Sequence, residues 1–355
     1  MRLVEHVRSR SRQGLVLAAV AALSAVGPAS TGTAAGATAE PAAGQQAATT
    51  PDASPGADGK IAFVRGGKIR TIEPDGADAA VLTSSRRNSS PSWSPDGGQI
   101  AYVHEDRSGG RDLWVMQADG SARTRVTTDG NVAEGSPAWS PDGSSLAYGG
   151  TCMSPAEEPE ACQWYAPETS VLNVVSAVAP FGSPTTALAD PDLGAMDGPI
   201  NVSGRLAWSP QGDEIAVRSD NYPQAGDQYI LRYGASTGSV EVLDMIGYGG
   251  LEGTLANPTF SPNGGLVAWD ARVDAQGEVY HRGIQMCDVS RSTCDLFRQV
   301  DGDNHLTFAP SGDGVVLVRS GVRDRLVVAA TNGKGRAPLT KGSQPSWQPL
   351  PLTSG

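Results

Sequence analysis

One phrase recurs along this chain and constrains its fold more than any other feature. Ser90-Pro91-Ser92-Trp93-Ser94-Pro95-Asp96-Gly97 runs into the apolar stretch Ile100-Ala101-Tyr102-Val103. Ser136-Pro137-Ala138-Trp139-Ser140-Pro141-Asp142-Gly143 likewise runs into Leu146-Ala147-Tyr148. Degenerate copies carry Trp208, Phe260 and Phe308, and a truncated one, Gln344-Pro345-Ser346-Trp347-Gln348-Pro349, lies near the carboxy end. These aromatic anchors are 46, 69, 52, 48 and 39 residues apart. A period of that size, with apolar runs of strand length, belongs to a ring of repeated sheets, a β-propeller.

Each part of the phrase has a physical reason. Proline ahead of the aromatic residue holds the chain extended and withdraws one N–H from the ladder, which suits the start of a strand. The aromatic ring buries a large apolar area between adjoining sheets. Pro-Asp-Gly then reverses the chain: proline presets φ, aspartate caps the turn and glycine takes positive φ. A third strand is visible at Asp112 to Met116, ended by Asp119-Gly120, and a fourth at Arg125 to Thr127. Such a sheet cannot bury both faces alone, so the units must stack.

The two ends of the repeat region complement each other. Lys60 to Val64, Lys68 to Ile72 and Ala80 to Thr83 read as second, third and fourth strands without a first. Ser343 to Trp347 reads as a first strand without the others. Pairing them completes a blade and removes both open edges. The expected fold is all-β, a six-bladed β-propeller of four-stranded antiparallel blades over residues 59–349, closed by pairing of the C-terminal strand with the N-terminal strands. Residues 150–204 are expected to decorate the third blade, with a strand from Ser170 to Val178 and a long surface loop.

Ahead of the repeats, Arg2, Arg8, Arg10 and Arg12 precede an apolar run of 13 residues from Gly14 to Val26, and Ala37-Thr38-Ala39 offers a small-residue cleavage site. Residues 1–39 therefore read as a secretory signal peptide, too short in its apolar part for a stable span, so no transmembrane segment is expected after its removal. Residues 40–58 read as a disordered tether and 350–355 as a tail. Without the signal's four arginines and Glu5, 23 Lys and Arg oppose 37 Asp and Glu, a formal charge of −14. That excess of acid lacks the basic face needed for nucleic acid and favours solubility outside the cell. Four cysteines in an exported chain read as two disulfides. Of the three pairings, the local one joins Cys152 to Cys162 and Cys287 to Cys294, each pair within one blade, and neither spacing fits a zinc site.

The repeat, P-x-W-S-P-D-G-x-x-I-A-Y, resembles the WD40-like (PD40) repeat of the TolB propeller family. The likeness runs from about residue 59 to 349 and is sharpest around Trp93 and Trp139; elsewhere Gln211, Asn263 or Ser311 replaces the aspartate. The resemblance implies a six-bladed propeller of the bacterial envelope or exterior that works by holding partners. TolB carries an α/β domain before its propeller and takes part in the Tol–Pal system. Here a signal and tether are read in that place, so the resemblance carries the fold and a binding role rather than that partner.

The letters G-x-S-x-G occur once, at Gly234 to Gly238, in a chain read as all-β and so without the strand-to-helix turn of a nucleophile elbow. Asp96 and Asp142 read as turn formers, Trp93, Trp139 and Trp208 as core, and His104 and His281 as solvated surface histidines. First strands line a propeller's channel, so the residues opening them should ring its mouth: Ser90, Glu134, Ser136, Ser203, Asn257, Asp301, Asp303, Asn304, His305 and Gln344. These are the candidate binding residues. No catalytic residue, metal site or resident cofactor is expected, although Glu134, Asp301 and Asp303 could offer oxygens to a divalent cation or small polar ligand. A water-filled channel of satisfied polar groups is the plain alternative. The function expected is an exported, monomeric, non-enzymatic scaffold that binds a protein, peptide or envelope component, with no nucleic-acid partner. The alternatives are a carbohydrate-active lyase or glycosidase with carboxylates at the channel mouth, and a purely structural part of a larger assembly.

Overall fold

The computed structural model describes residues 57–350 apart from 134, 136, 153–169, 190–197, 200, 221–227, 247–250, 276–277, 291–292 and 297–301. The readings of a signal peptide and most of the tether, and those resting on Glu134, Ser136, Cys162 and Asp301, lie outside the described residues.

Six four-stranded antiparallel sheets follow one another along the chain. Blade 1 is the composite: Ser343–Leu350 pairs with Ala57–Arg65, then come Lys68–Ile72 and Ala80–Val81. Blade 2 runs Asn88–Trp93, Gln99–Glu105, Arg111–Gln117 and Thr124–Arg125. Blade 3 holds Ala138–Trp139, Ser145–Thr151, Ser170–Ser176 and Thr185–Thr186. Blade 4 comprises Ala207–Trp208, Glu214–Asp220, Gln228–Gly234 and Val240–Ile246. Blade 5 comprises Leu251–Phe260, Leu266–Ala275, Glu278–Asp288 and Thr293–Leu296. Blade 6 comprises Asp303–Phe308, Gly314–Arg319, Arg325–Ala330 and Ala337–Lys341. The first strand of blade 1 begins its pairing at Ala57 opposite Leu350, so the sheet takes in two residues assigned from sequence to the tether and one assigned to the tail.

Both faces of each blade are covered because alternate residues of one strand enter different cores. Ile100 and Tyr102 pack with Ala62 and Ile69 of blade 1, while Ala101 and Val103 pack with Trp139 and Leu146 of blade 3. The same division continues through clusters shared by blades 3 and 4, 4 and 5, 5 and 6, and 6 and 1. This explains why second strands read as continuous apolar runs rather than alternating ones. Trp93, Trp139, Phe260, Phe308 and Trp347 are buried anchors. Trp208 is less covered than the other anchors: it packs half-buried against the core shared by blades 3 and 4, and its indole N–H turns to Gly212 O of its own turn at 3.1 Å. Trp139 and Trp347 instead donate to Ser92 O and Gly59 O, at 3.1 and 3.0 Å.

The decorated third blade contains more pairing than expected, since Leu188–Ala189 and Gly198–Pro199 form a separate two-stranded ribbon. Cys287 faces Cys294 directly across the outer ladder of blade 5, as their positions at the end of one strand and the start of the next required. Both Cys152 and Cys287 are disulfide-bonded.

Candidate binding site at the channel mouth

The first strands bend at one repeated place. In blades 2, 5, 6 and 1, Ser90, Asn257, His305 and Gln344 each lie three residues before the aromatic anchor, with φ of 56°, 55°, 50° and 52°. At each the ladder register slips: between Ser89 and Ser92, Ala256 and Thr259, Asn304 and Thr307, and opposite Ala62 and Val64 in the closing pair. A bulge of this kind leaves residues outside the ladder and re-aims them, here where the strands open onto the channel. Left-handed φ in non-glycine residues is uncommon and costs energy, about 1 kcal/mol or more each, so the surrounding contacts must hold it.

Those contacts stitch neighbouring blades together. Ser90 N–H donates to Gln344 Oε1 at 2.9 Å, and Trp93 N–H to Ser346 Oγ at 3.2 Å, joining blades 2 and 1. His305 N–H donates to both oxygens of Asp270, at 2.9 and 3.0 Å, joining blades 6 and 5. Asn257 Nδ2 donates to the same carboxylate at 2.6 Å. Asp270 stands opposite Ala256 in the second strand of blade 5. The corresponding positions opposite Ser343, Ser89 and Asn304 are Val64, Val103 and Val318.

Arg205 is the second channel residue absent from the sequence candidates. It lies three residues before Trp208, the offset of Ser90 from Trp93, whereas Ser203 sits two residues further back. Ser203 N–H is spent on Arg218 O at 2.9 Å. From blade 4, Arg205 Nη1 reaches Pro345 O at 3.4 Å in blade 1, the blade opposite it in a ring of six. Burial pushes the Asp270 carboxyl up to about 7, against the hydrogen bonds from Asn257 and His305 and the charge of Arg205. Burial pushes His305 down to about 4, with Arg205 adding to the shift. Burial also lowers Arg205 to about 10, opposed by Asp270.

Beside this cluster a cavity of about 420 Å³ opens between blades 5 and 6, lined by Asp270, His305, Asn304, Ser320, Ser343 and their neighbours. Asn304 Nδ2 donates to Ser320 Oγ at 2.7 Å. Asp303 is buried and ion-paired twice, to Arg319 Nε at 3.2 Å and to the guanidinium of Arg336. Its carboxylate is thus committed to two cations of the fold. Among the described residues no three His, Cys, Asp or Glu side chains are grouped to hold a metal. The structure therefore brings together Ser90 with Gln344 and Asn257 with His305, adds Asp270 and Arg205, and sets Ser203 and Asp303 to other partners.

Away from the channel, His104 is not a solvated side chain. It is half-buried, bonded through Nδ1 to Asn88 Oδ1 at 2.8 Å, and meets Trp114 edge-on at 5.7 Å between ring centres. His281 lies near the start of the third strand of blade 5. Among the described residues no helix is long and apolar enough to cross a membrane.

Comparison with known proteins agrees with this architecture. A family model described as the dipeptidyl peptidase IV N-terminal region matches residues 60–151. No curated protein matches the chain. TolB from Acinetobacter baumannii is similar at a TM-score of 0.62 and 21% identity, over 82% of this chain and 67% of that one. A second TolB structure, from Agrobacterium tumefaciens, gives 0.54 and 18% over 80% and 90%. A chain of a nidogen–laminin complex gives 0.54 and 9% over 82% and 99%. At these identities the likeness is one of fold: a TolB-like six-bladed propeller.

Proposed function

We propose that this protein is a non-enzymatic propeller scaffold of the exported or envelope compartment, monomeric, which holds a protein or peptide at the mouth of its channel. One observation carries the reading. Four blades spend backbone strain on the same bulge, and the residue held there is polar in each, Ser90, Asn257, His305 and Gln344. Strain of this sort, repeated at one level of a ring, supports a recognition surface. The test is capture from envelope extracts at several salt concentrations, with Asn304→Ala/Ser320→Ala as the altered mouth. The wild type should recover a defined polypeptide that the double variant loses. Recovery of nothing specific at any salt would remove the proposal.

The carbohydrate-active reading rests on Glu134 and Asp303 as working carboxylates. Turnover of a polysaccharide that Glu134→Ala and Asp303→Ala both abolish would put it first. A divalent cation in the channel would need its oxygens chiefly from Glu134 and Asp301, because Arg319 and Arg336 already hold Asp303.

A further inference from the structure

Arg205 is a half-buried guanidinium with few protein partners. It offers five N–H donors. Among the described residues it makes one hydrogen bond, the 3.4 Å contact to Pro345 O, and no ion pair. Its charge acts on both Asp270 and His305, which line the 420 Å³ cavity. No hydrogen bond joins it to Asp270, whose carboxylate takes Asn257 Nδ2 and His305 N–H instead. Other arginines of the fold are better matched: Arg218 makes two hydrogen bonds to Asp220, at 3.0 and 2.7 Å, and Arg232 bonds both Glu214 and Glu241. Among the described residues Arg205, which reaches across the channel, meets no forked acceptor.

We propose that Arg205 is a ligand-anchoring residue that takes a carboxylate presented down the channel, forming the paired N–H···O contacts of a guanidinium–carboxylate fork. The carboxylate displaces the long contact to Pro345 O. The rest of the ligand occupies the cavity beside Asn304 and Ser320, whose amide and hydroxyl supply polar partners. The inference rests on the scaffold reading only in taking the channel mouth as the working face. Two sources share the chemistry, a small free acid and the carboxyl end of a peptide.

Calorimetric titration with succinate, and with N-acetyl-trialanine as free acid or as C-terminal amide, distinguishes them. Saturable binding of succinate alone assigns a small acid; binding of the tripeptide acid but not its amide assigns a peptide terminus. Lysine keeps the charge and loses the fork, so Arg205→Lys should weaken whichever binds by about tenfold or more. Arg205→Met should abolish it, with circular dichroism confirming the fold; if that variant does not fold, the Arg205→Lys affinity decides. Binding of the amide as tight as the acid, unchanged affinity in Arg205→Lys, or no saturable heat from any probe at millimolar concentration would overturn the proposal. The envelope-capture experiment would stand unaffected by that last result.

Discussion

Asp142 shows what the repeated phrase requires of its turn residue. Its Oδ1 accepts from Ser140 Oγ at 2.5 Å and from Ser144 N–H at 3.0 Å, closing the reversal that leads into Ser145–Thr151. Those hydrogen bonds, the Ser140 hydroxyl first, hold its carboxyl down to about 2 from the usual 3.8. Asp96 repeats the arrangement with Ser94 Oγ and Gly98 N–H and is lowered for the same reasons. Asn263 does so without a charge, accepting from Ser261 Oγ at 2.8 Å and from Gly265 N–H at 3.0 Å. The amide in place of the acid therefore preserves the turn and removes only its pH dependence. Because the folded pKa is depressed, the stabilisation from Asp142 is present above the unfolded value and is lost as pH falls through about 2. Carbon-13 titration should find the Asp142 carboxyl well below the ordinary range and returned toward it in Ser140→Ala. An ordinary midpoint in the wild type would show that the serine contact does not persist in solution.

The closing blade depends on one short strand. Trp347 fills the core shared with blade 6, and Gln348 ties three segments by accepting from Lys60 N–H at 3.0 Å and donating to Gly97 O at 2.8 Å. Gly97 has φ of 67°, and a Cβ there would lie 2.1 Å from Pro349 O, so the turn of blade 2 and the end of the chain meet with no room for a side chain. Truncating Trp347 to alanine should cost about 3–5 kcal/mol, as for other buried aromatics. Gln348→Ala should cost about 1 kcal/mol, since it removes two partly buried hydrogen bonds. Urea unfolding with both variants measures this; a Trp347→Ala loss below that of Gln348→Ala would mean the seam is held by hydrogen bonds rather than packing. This seam was legible from the sequence because turn chemistry and aromatic spacing are local and repeat. The site was legible only in part. Ser90, Asn257, His305 and Gln344 follow from the same register, but Arg205 hides in a blade whose phrase has lost its proline. Asp270 belongs to a second strand, where only a carboxylate in place of the usual valine betrays it. Which polar groups meet across a ring depends on blades far apart in sequence, and no local pattern encodes that.

Taken as a whole ring, the molecule holds two oppositely perturbed groups in neighbouring blades, and their effects on stability should nearly cancel. Asp270 is raised to about 7 from 3.8, so between those values the folded state holds a proton that the unfolded chain has released. Its contribution is greatest at low pH and is lost as pH rises through about 7. His305 is lowered to about 4 from 6.5, so over that interval the unfolded chain binds the extra proton. Its contribution is present above 6.5 and is lost as pH falls through about 4. The windows overlap, and one proton gained by each state leaves the unfolding free energy almost flat there. Removing either partner uncovers the other. Asp270→Asn keeps an acceptor for Asn257 and His305, and its stability should fall on acidification from pH 6.5 to 4 with a slope approaching about 1.4 kcal/mol per pH unit. His305→Gln keeps the backbone N–H that Asp270 uses, and its stability should instead rise as pH falls across the Asp270 window. Arg205, charged throughout, biases both groups in the same sense and shifts the windows without changing these signs. Urea midpoints measured across that interval for the wild type and the two variants give three slopes: near zero, positive with pH and negative with pH. Three parallel curves would show that neither side chain is shielded at the channel centre, and that water reaches the groups on which Arg205 acts.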